Sequence, residues 1–291
     1  MPKVNYDDKN WFYIKNGRAM VSLGSLNQYK TCPYSCAFCY VQDGFIPYAK
    51  KNINEIVDFL IRHREKYDII YVSGDTDSFA KPRTQTGITL LQSISENINC
   101  DLLFTTRTIF SSEDLQQLKK VVKTLKNKNK DLFACISITR FSDEVSYLEP
   151  YPIPSPQARI DTIKHLHNIG AVTVLALRPF LPIVKVTDYL SILNICKDYI
   201  DIALGEAFYF QKDGKIEKRV FPNGIPNKVE TALKKVHMDF NENNKEWEIW
   251  ESEFIESTIR NFCDKNDVIF SMHSADAINN YKSQKNLQIL L

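Results

Sequence analysis

Ile69-Ile70-Tyr71-Val72-Ser73-Gly74-Asp75-Thr76-Asp77 is the stretch on which the fold turns. Four apolar or aromatic residues in a row, with no polar alternation, read as a strand buried on both faces. The polar residues after them read as the loop at its carboxyl end. Downstream, Leu102-Leu103-Phe104-Thr105, ending in Thr106-Arg107, repeats the arrangement. Apolar runs at 132–138, 172–177 and 200–204 continue it, and a weaker first strand covers residues 19–23. Helical patterns lie between. Ile53, Ile56, Val57 and Leu60 make a one-sided apolar stripe, with Asn52 as cap and Glu55 placed for a capping box. Ser155-Pro156 opens another helix, and Gly170 marks its end in the left-handed position that glycine favours. Tyr189, Ile192, Leu193 and Cys196 form a further stripe.

Strands alternating with helices of this length predict βαβ units and a parallel sheet. Six such units predict an α/β fold: a single partial (βα)6 TIM-type barrel over residues 1–210. Beyond Gln211 the pattern loosens. Residues 223–250 are polar and irregular, Ile255, Ile259 and Phe262 mark a helix, and residues 268–272 a last strand. Residues 211–291 are therefore expected to be a small C-terminal extension packed on the barrel and facing substrate. In such folds the chemistry gathers at the carboxyl ends of the strands. Position alone nominates residues 73–77, Arg107, Thr139, Arg140, Arg178 and Glu206.

The 291 residues are 44% hydrophobic and 25% charged, the balance of a globular protein, and the net charge of +2 demands neither nucleic acid nor membrane as partner. The first ten residues are polar and mixed in charge, unlike a secretory signal. No run of about 18 apolar residues offers a membrane span. The cysteines are Cys32, Cys36, Cys39, Cys100, Cys135, Cys196 and Cys263. An odd number with one tight cluster argues against a disulfide framework and for a metal site in a reducing compartment, the cytoplasm.

That cluster lies in Thr31-Cys32-Pro33-Tyr34-Ser35-Cys36-Ala37-Phe38-Cys39-Tyr40. Three thiolates from one loop suit a polynuclear centre, and iron–sulfur clusters are held by such thiolates. A cubane has four irons, so three cysteines leave one open to an outside ligand. Structural zinc is the alternative, but it normally takes four ligands as two separated pairs, and no second CxxC or His–Cys pair lies nearby.

Cys-x3-Cys-x2-Cys after a first strand, with the aromatic Phe38 before the third cysteine, resembles the radical S-adenosylmethionine superfamily. Ser35 to Gln42, as Ser-Cys-x2-Cys-Tyr-x-Gln, is similar in particular to the spore photoproduct lyase branch. The resemblance implies a 4Fe–4S cluster on Cys32, Cys36 and Cys39 whose free iron takes the amino and carboxylate groups of S-adenosylmethionine. One electron then breaks a sulfur–carbon bond, giving methionine and a 5′-deoxyadenosyl radical. A reducing partner such as flavodoxin or ferredoxin is implied with it. Phe38 falls among the cofactor-binding positions. Ser73, Gly74 and Asp75 sit where the family contacts the methionine amino group. Arg107 falls in the segment whose basic residue meets the carboxylate, and Ser137 in the one whose serine reaches the cofactor. Glu149-Pro150, Ser155 and Arg159-Ile160 continue the pattern, so the resemblance spans roughly residues 19–182. It departs at one place: the lyase returns hydrogen from a cysteine at the end of its second strand, and residues 73–77 contain none. The implied substrate is a nucleic-acid base or lesion. A peptide or protein side chain is the alternative, and a non-catalytic metal-binding module the third.

Other residues carry two readings each. Ser73, Asp75 and Asp77 suit loop capping as well as cofactor contact. Cys135 shares a strand face with Ser137, which makes it a candidate hydrogen donor, although free cysteine is often core filler. Tyr40 is placed to relay a radical or simply to pack. His273 and Glu206 follow strands and are candidates for substrate contact, whereas His165 and His167 lie within a helix. Lys119, Lys120, Lys123, Lys126, Lys128 and Lys130 read as a solvated helix face before they read as a DNA stripe.

Overall fold

The apolar runs fold as strands and the striped segments as helices. The computed structural model describes residues 5–6, 12–15, 17–21, 32–39, 52–74, 76–236 and 246–290. Its first elements are β1 (Asn5–Tyr6), β2 (Phe12–Lys15), β3 (Arg18–Val21), α1 (Ile53–Arg62), β4 (Ile69–Val72), α2 (Thr84–Asn97) and β5 (Asp101–Thr106). Next come α3 (Ser112–Lys126), β6 (Leu132–Ser137), α4 (Pro156–Asn168), β7 (Val172–Ala176), α5 (Val186–Cys196) and β8 (Ile202–Leu204). The last group is β9 (Phe208–Gln211), α6 (Lys215–Val220), α7 (Asn227–Glu230), β10 (Lys234–Val236), β11 (Trp247–Trp250), α8 (Glu253–Asp264), β12 (Ile269–Ser271) and α9 (Ser274–Leu290).

One sheet has the order β1-β2-β3-β4-β5-β6-β7-β8-β12. With β1 and β12 at opposite edges it stays open, and no closed barrel forms among the described residues. Pairing is parallel for β3–β4, β4–β5, β5–β6 and β8–β12, and antiparallel for β1–β2 and β2–β3. This is the α/β, partial-barrel architecture that the strand–helix alternation predicts, with two additions. A short antiparallel hairpin precedes β3, and β12 joins beside β8. Among the described residues no helix is long and apolar enough to cross a membrane.

Compactness divides the chain into Met1–Tyr34, Ile46–Ile136 and Ile153–Val174 as one unit, and Ser35–Phe45, Ser137–Pro152 and Leu175–Leu291 as the other. In the first, Leu60, Ile70, Val72, Leu91, Phe104 and Leu118 are buried completely, each contributing roughly 1.5–3 kcal/mol by leaving water. The expected capping box opens α1: the Glu55 amide donates to Asn52 Oδ1 at 2.9 Å and the Asn52 amide to Glu55 Oε2 at 2.8 Å. Ser155 caps α4 through the Ala158 amide, and Gly170 beyond its end has φ +84°. Phe79 packs on Phe104 and Phe110 at centroid distances of 4.7 and 5.9 Å, pinning the loop after β4 against β5.

In the second unit β9, β10 and β11 form a separate antiparallel sheet of order β10-β11-β9, with β10 and β11 in the stretch 223–250 where the sequence suggests only irregular chain. Phe208 stacks on Phe210 at 5.2 Å with Phe221 against both. Helix α8 buries Ile255, Ile259 and Cys263.

Candidate functional site

Cysteines on a short loop can serve a common centre only if the loop backbone is held. From Cys36 to Cys39 the chain turns tightly, with the Cys39 amide donating to Cys36 O at 3.1 Å. The Ala37 amide donates to Leu148 O at 2.9 Å. Arg219 donates from Nε to Ala37 O at 3.0 Å and from Nη2 to Cys39 O at 3.4 Å. Tyr34 is buried and shares a 2.9 Å hydrogen bond between its hydroxyl and Thr108 Oγ1. Burial, reinforced by the nearby Asp77 charge, pushes the Tyr34 phenol above its usual range, so it stays protonated at neutral pH.

None of the cysteines is in a disulfide, with Cys32 and Cys39 half-buried and Cys36 buried. Among the described residues no three His, Cys, Asp or Glu side chains are arranged to hold a metal ion. The three cysteines lie within eight residues of one another in the chain. Ligand sets of this kind commonly assemble with the metal they bind. The donor set itself, three uncrosslinked thiols on one held loop, fits an iron–sulfur cluster. Phe38, between two of them, is buried.

The carboxyl end of β4 supplies the next group. Ser73 takes φ +71°, a conformation that side-chain-bearing residues rarely adopt. Its amide donates to Val21 O at 3.0 Å, and its hydroxyl accepts from the Ser78 amide at 2.9 Å. A Cβ on Gly74 would collide with the Met20 side chain. Asp77 is the hub of the loop. Its Oδ1 accepts from the Phe79 and Ala80 amides at 3.0 and 3.1 Å, and its Oδ2 accepts from the Arg107 amide at 2.7 Å. The Thr106 hydroxyl lies 2.8 Å from both oxygens. Burial raises the Asp77 carboxyl above its ordinary range, opposed by those hydrogen bonds and by the Arg107 charge. The loops after β4 and β5 are therefore fastened to each other at the position predicted for the site.

Arg107 is half-buried at the end of β5. Cys135 and Ser137 lie on β6, both buried, with Cys135 opposite Thr105 across the β5–β6 pairing. Thr139 donates from Oγ1 to Arg178 O at 3.2 Å, and Arg140 is buried. Glu206, His273, His165 and His167 are exposed. The candidates Tyr40 and Asp75 lie outside the described residues. On α3, Lys119, Lys120, Lys123 and Lys126 are exposed, as a solvated face requires. Lys128 instead donates to Ser95 O and Glu96 O at 2.7 and 2.8 Å near the end of α2. Sequence reasoning missed Arg219, Leu148 and Thr108. Nothing local marks them, because each acts through a partner distant in the chain.

A family model described as the Radical SAM superfamily matches residues 26–194. No curated protein matches the sequence. Among solved structures, the chain is similar to a spore photoproduct lyase variant with bound AdoMet and dinucleoside spore photoproduct. Identity is 16% and the TM-score 0.64, covering 83% of this chain and 74% of that one. A second lyase variant gives 13% identity, a TM-score of 0.65, and coverage of 84% and 74%. Streptococcus suis SuiB bound to precursor peptide SuiA gives 10% identity and a TM-score of 0.58, covering 94% of this chain and 52% of SuiB. At such identities the likeness is one of fold.

Proposed function

The chain belongs to the Radical SAM superfamily and is an enzyme of that class; from this premise we propose that a 4Fe–4S cluster held by Cys32, Cys36 and Cys39 supplies the electron that cleaves S-adenosylmethionine to a 5′-deoxyadenosyl radical, which abstracts hydrogen from a nucleic-acid base or lesion. The observation that carries this reading is the family match, which begins before the cysteine loop and runs through the strands behind it. Three cysteines outside any disulfide, with the backbone from Cys36 to Cys39 hydrogen-bonded, support it.

In this reading Phe38 borders the cofactor and helps keep water from it. Ser73, Gly74 and Asp75 meet the methionine amino group. Arg107 pairs with the methionine carboxylate, for which a guanidinium offers two donors, and Ser137 reaches the cofactor. Tyr40 relays a radical and Cys135 returns hydrogen. Residues 1–210 form the core and residues 211–291 the extension that meets substrate. Flavodoxin or ferredoxin supplies the electron, in the reducing cytoplasm.

The lyase structures holding a dinucleoside photoproduct support a nucleic-acid substrate. A peptide substrate is the second reading, supported by the fold likeness to peptide-bound SuiB, which extends over 94% of this chain. The test is 5′-deoxyadenosine release by anaerobically reconstituted, reduced protein beside Cys36→Ala. Release that vanishes in the variant supports the reading. Intact S-adenosylmethionine in protein carrying its full iron and sulfide, with oligonucleotides and peptides both supplied, makes it a non-catalytic metal-binding module. Oligonucleotide binding that weakens steeply with salt favours the base-directed enzyme, because phosphate contacts release counterions.

A further inference from the structure

The hydrogen bonds around the cysteine loop point to a residue far from it in sequence. Arg219 lies in the last turn of α6, within the segment assigned above to the C-terminal extension. Its guanidinium donates to Ala37 O and Cys39 O, the two carbonyls that bracket Phe38 and the third cysteine of the motif. The same turn is held from the other side, where the Tyr147 hydroxyl donates to Val220 O at 3.0 Å. Its neighbour Leu148 accepts from the Ala37 amide. Residues 37–39, 147–148 and 219–220 thus form a closed circuit. Of its links, only Arg219 brings a full positive charge.

We infer that Arg219 is a positioning residue for the iron–sulfur site, fixing the backbone between Cys36 and Cys39 and easing reduction of the cluster with its charge. The inference rests on the proposed cluster. Two physical effects carry it. Charge-assisted hydrogen bonds are stronger than neutral ones, and two from one planar fork fix direction as well as distance. A fixed cation beside a ligand loop also stabilises the more negative, reduced state, since cluster potentials follow local charge and hydrogen bonding. The extension would then complete the metal loop as well as meet substrate.

The experiment compares wild type, Arg219→Lys, Arg219→Gln and Arg219→Ala. Amide hydrogen exchange across residues 36–39 is read in the cluster-free protein, and iron content and midpoint potential after reconstitution. Arg219→Ala should exchange at least about tenfold faster at Ala37 and Cys39 while distant strands keep their protection. Arg219→Gln should lower the midpoint potential, and Arg219→Lys, which keeps the charge, should hold it near the wild-type value. Unchanged exchange in Arg219→Ala together with an unchanged potential in Arg219→Gln overturns the inference. Wild-type protein that takes up no cluster defeats the proposed function instead, and the exchange data then judge the loop contact alone. Loss of protection throughout Arg219→Ala would shift judgement to Arg219→Lys and Arg219→Gln, where equal potentials overturn the charge role.

Discussion

Asp77 shows how one side chain can be readable in kind and unreadable in weight. A short acid after a strand suggests a loop cap, but the sequence does not reveal that three backbone amides and a hydroxyl converge on it. Those partners come from two loops that are neighbours only because β4 and β5 pair. Asp77→Ala would leave buried amides without acceptors, at about 1–3 kcal/mol each before relaxation. A loss of roughly 2–4 kcal/mol in urea unfolding is expected; a loss below about 0.5 kcal/mol would mean water takes over the acceptors. The carboxyl also carries a pH signature. Its pKa is raised in the folded state, so the native protein holds the proton more tightly than the unfolded chain. Its contribution is full below the ordinary carboxylate pKa and is lost as pH rises through the folded value. Stability of the wild type relative to Asp77→Asn should therefore fall as pH is raised from about 4, and a difference that grows with pH would contradict the burial effect.

Among elements, several local signals were legible. The capping box of α1, the Ser155-Pro156 start of α4 and Gly170 after it all follow from neighbours in sequence. The small sheet of β9, β10 and β11 was missed because it is made by pairing at a distance. Strand β9 meets β11 across more than thirty residues, with Trp247 opposite Gln211, and the acidic residues around β11 disguise it. The hairpin of β2 and β3 did carry a signal, since Asn16-Gly17 is a favoured two-residue turn, and Gly17 takes φ +69°. Helix α2 yields an element-level prediction that runs against propensity. Alanine is favoured over glycine in a helix by about 1 kcal/mol. At Gly87, however, a Cβ would lie 2.7 Å from Ser78 O and 2.9 Å from the Phe79 ring. That ring packs against both Phe104 and Phe110, which also contact each other, so it has little room to yield. Gly87→Ala should therefore lower the urea midpoint, costing roughly 1–3 kcal/mol. A raised midpoint would mean α2 shifts freely over the loop after β4.

At the scale of the whole molecule, the cysteines differ in depth: Cys32 and Cys39 are half-buried and Cys36 is buried on the loop, and the other four lie deepest. Cys100, Cys135, Cys196 and Cys263 are at most 1% exposed. Burial pushes the Cys100 thiol up to about 11 and the Cys263 thiol to about 12. Since the thiolate is the reacting form, a group near 11 is only about one part in a thousand reactive at pH 8. Cys32 and Cys39 are half-buried on the loop. Brief iodoacetamide treatment of the native protein at pH 8, followed by peptide mapping, should label Cys32 and Cys39 first. The four deep thiols should react only after denaturation. Rapid labelling of Cys100 or Cys263 would show that the core opens on the same timescale and would remove burial as the sorting principle. Reconstitution with iron and sulfide should then reverse the order: protection of Cys32, Cys36 and Cys39 together, with no change at the other four, is the pattern of one centre on one loop. Protection of the half-buried pair without Cys36 would leave a site too small for a cluster.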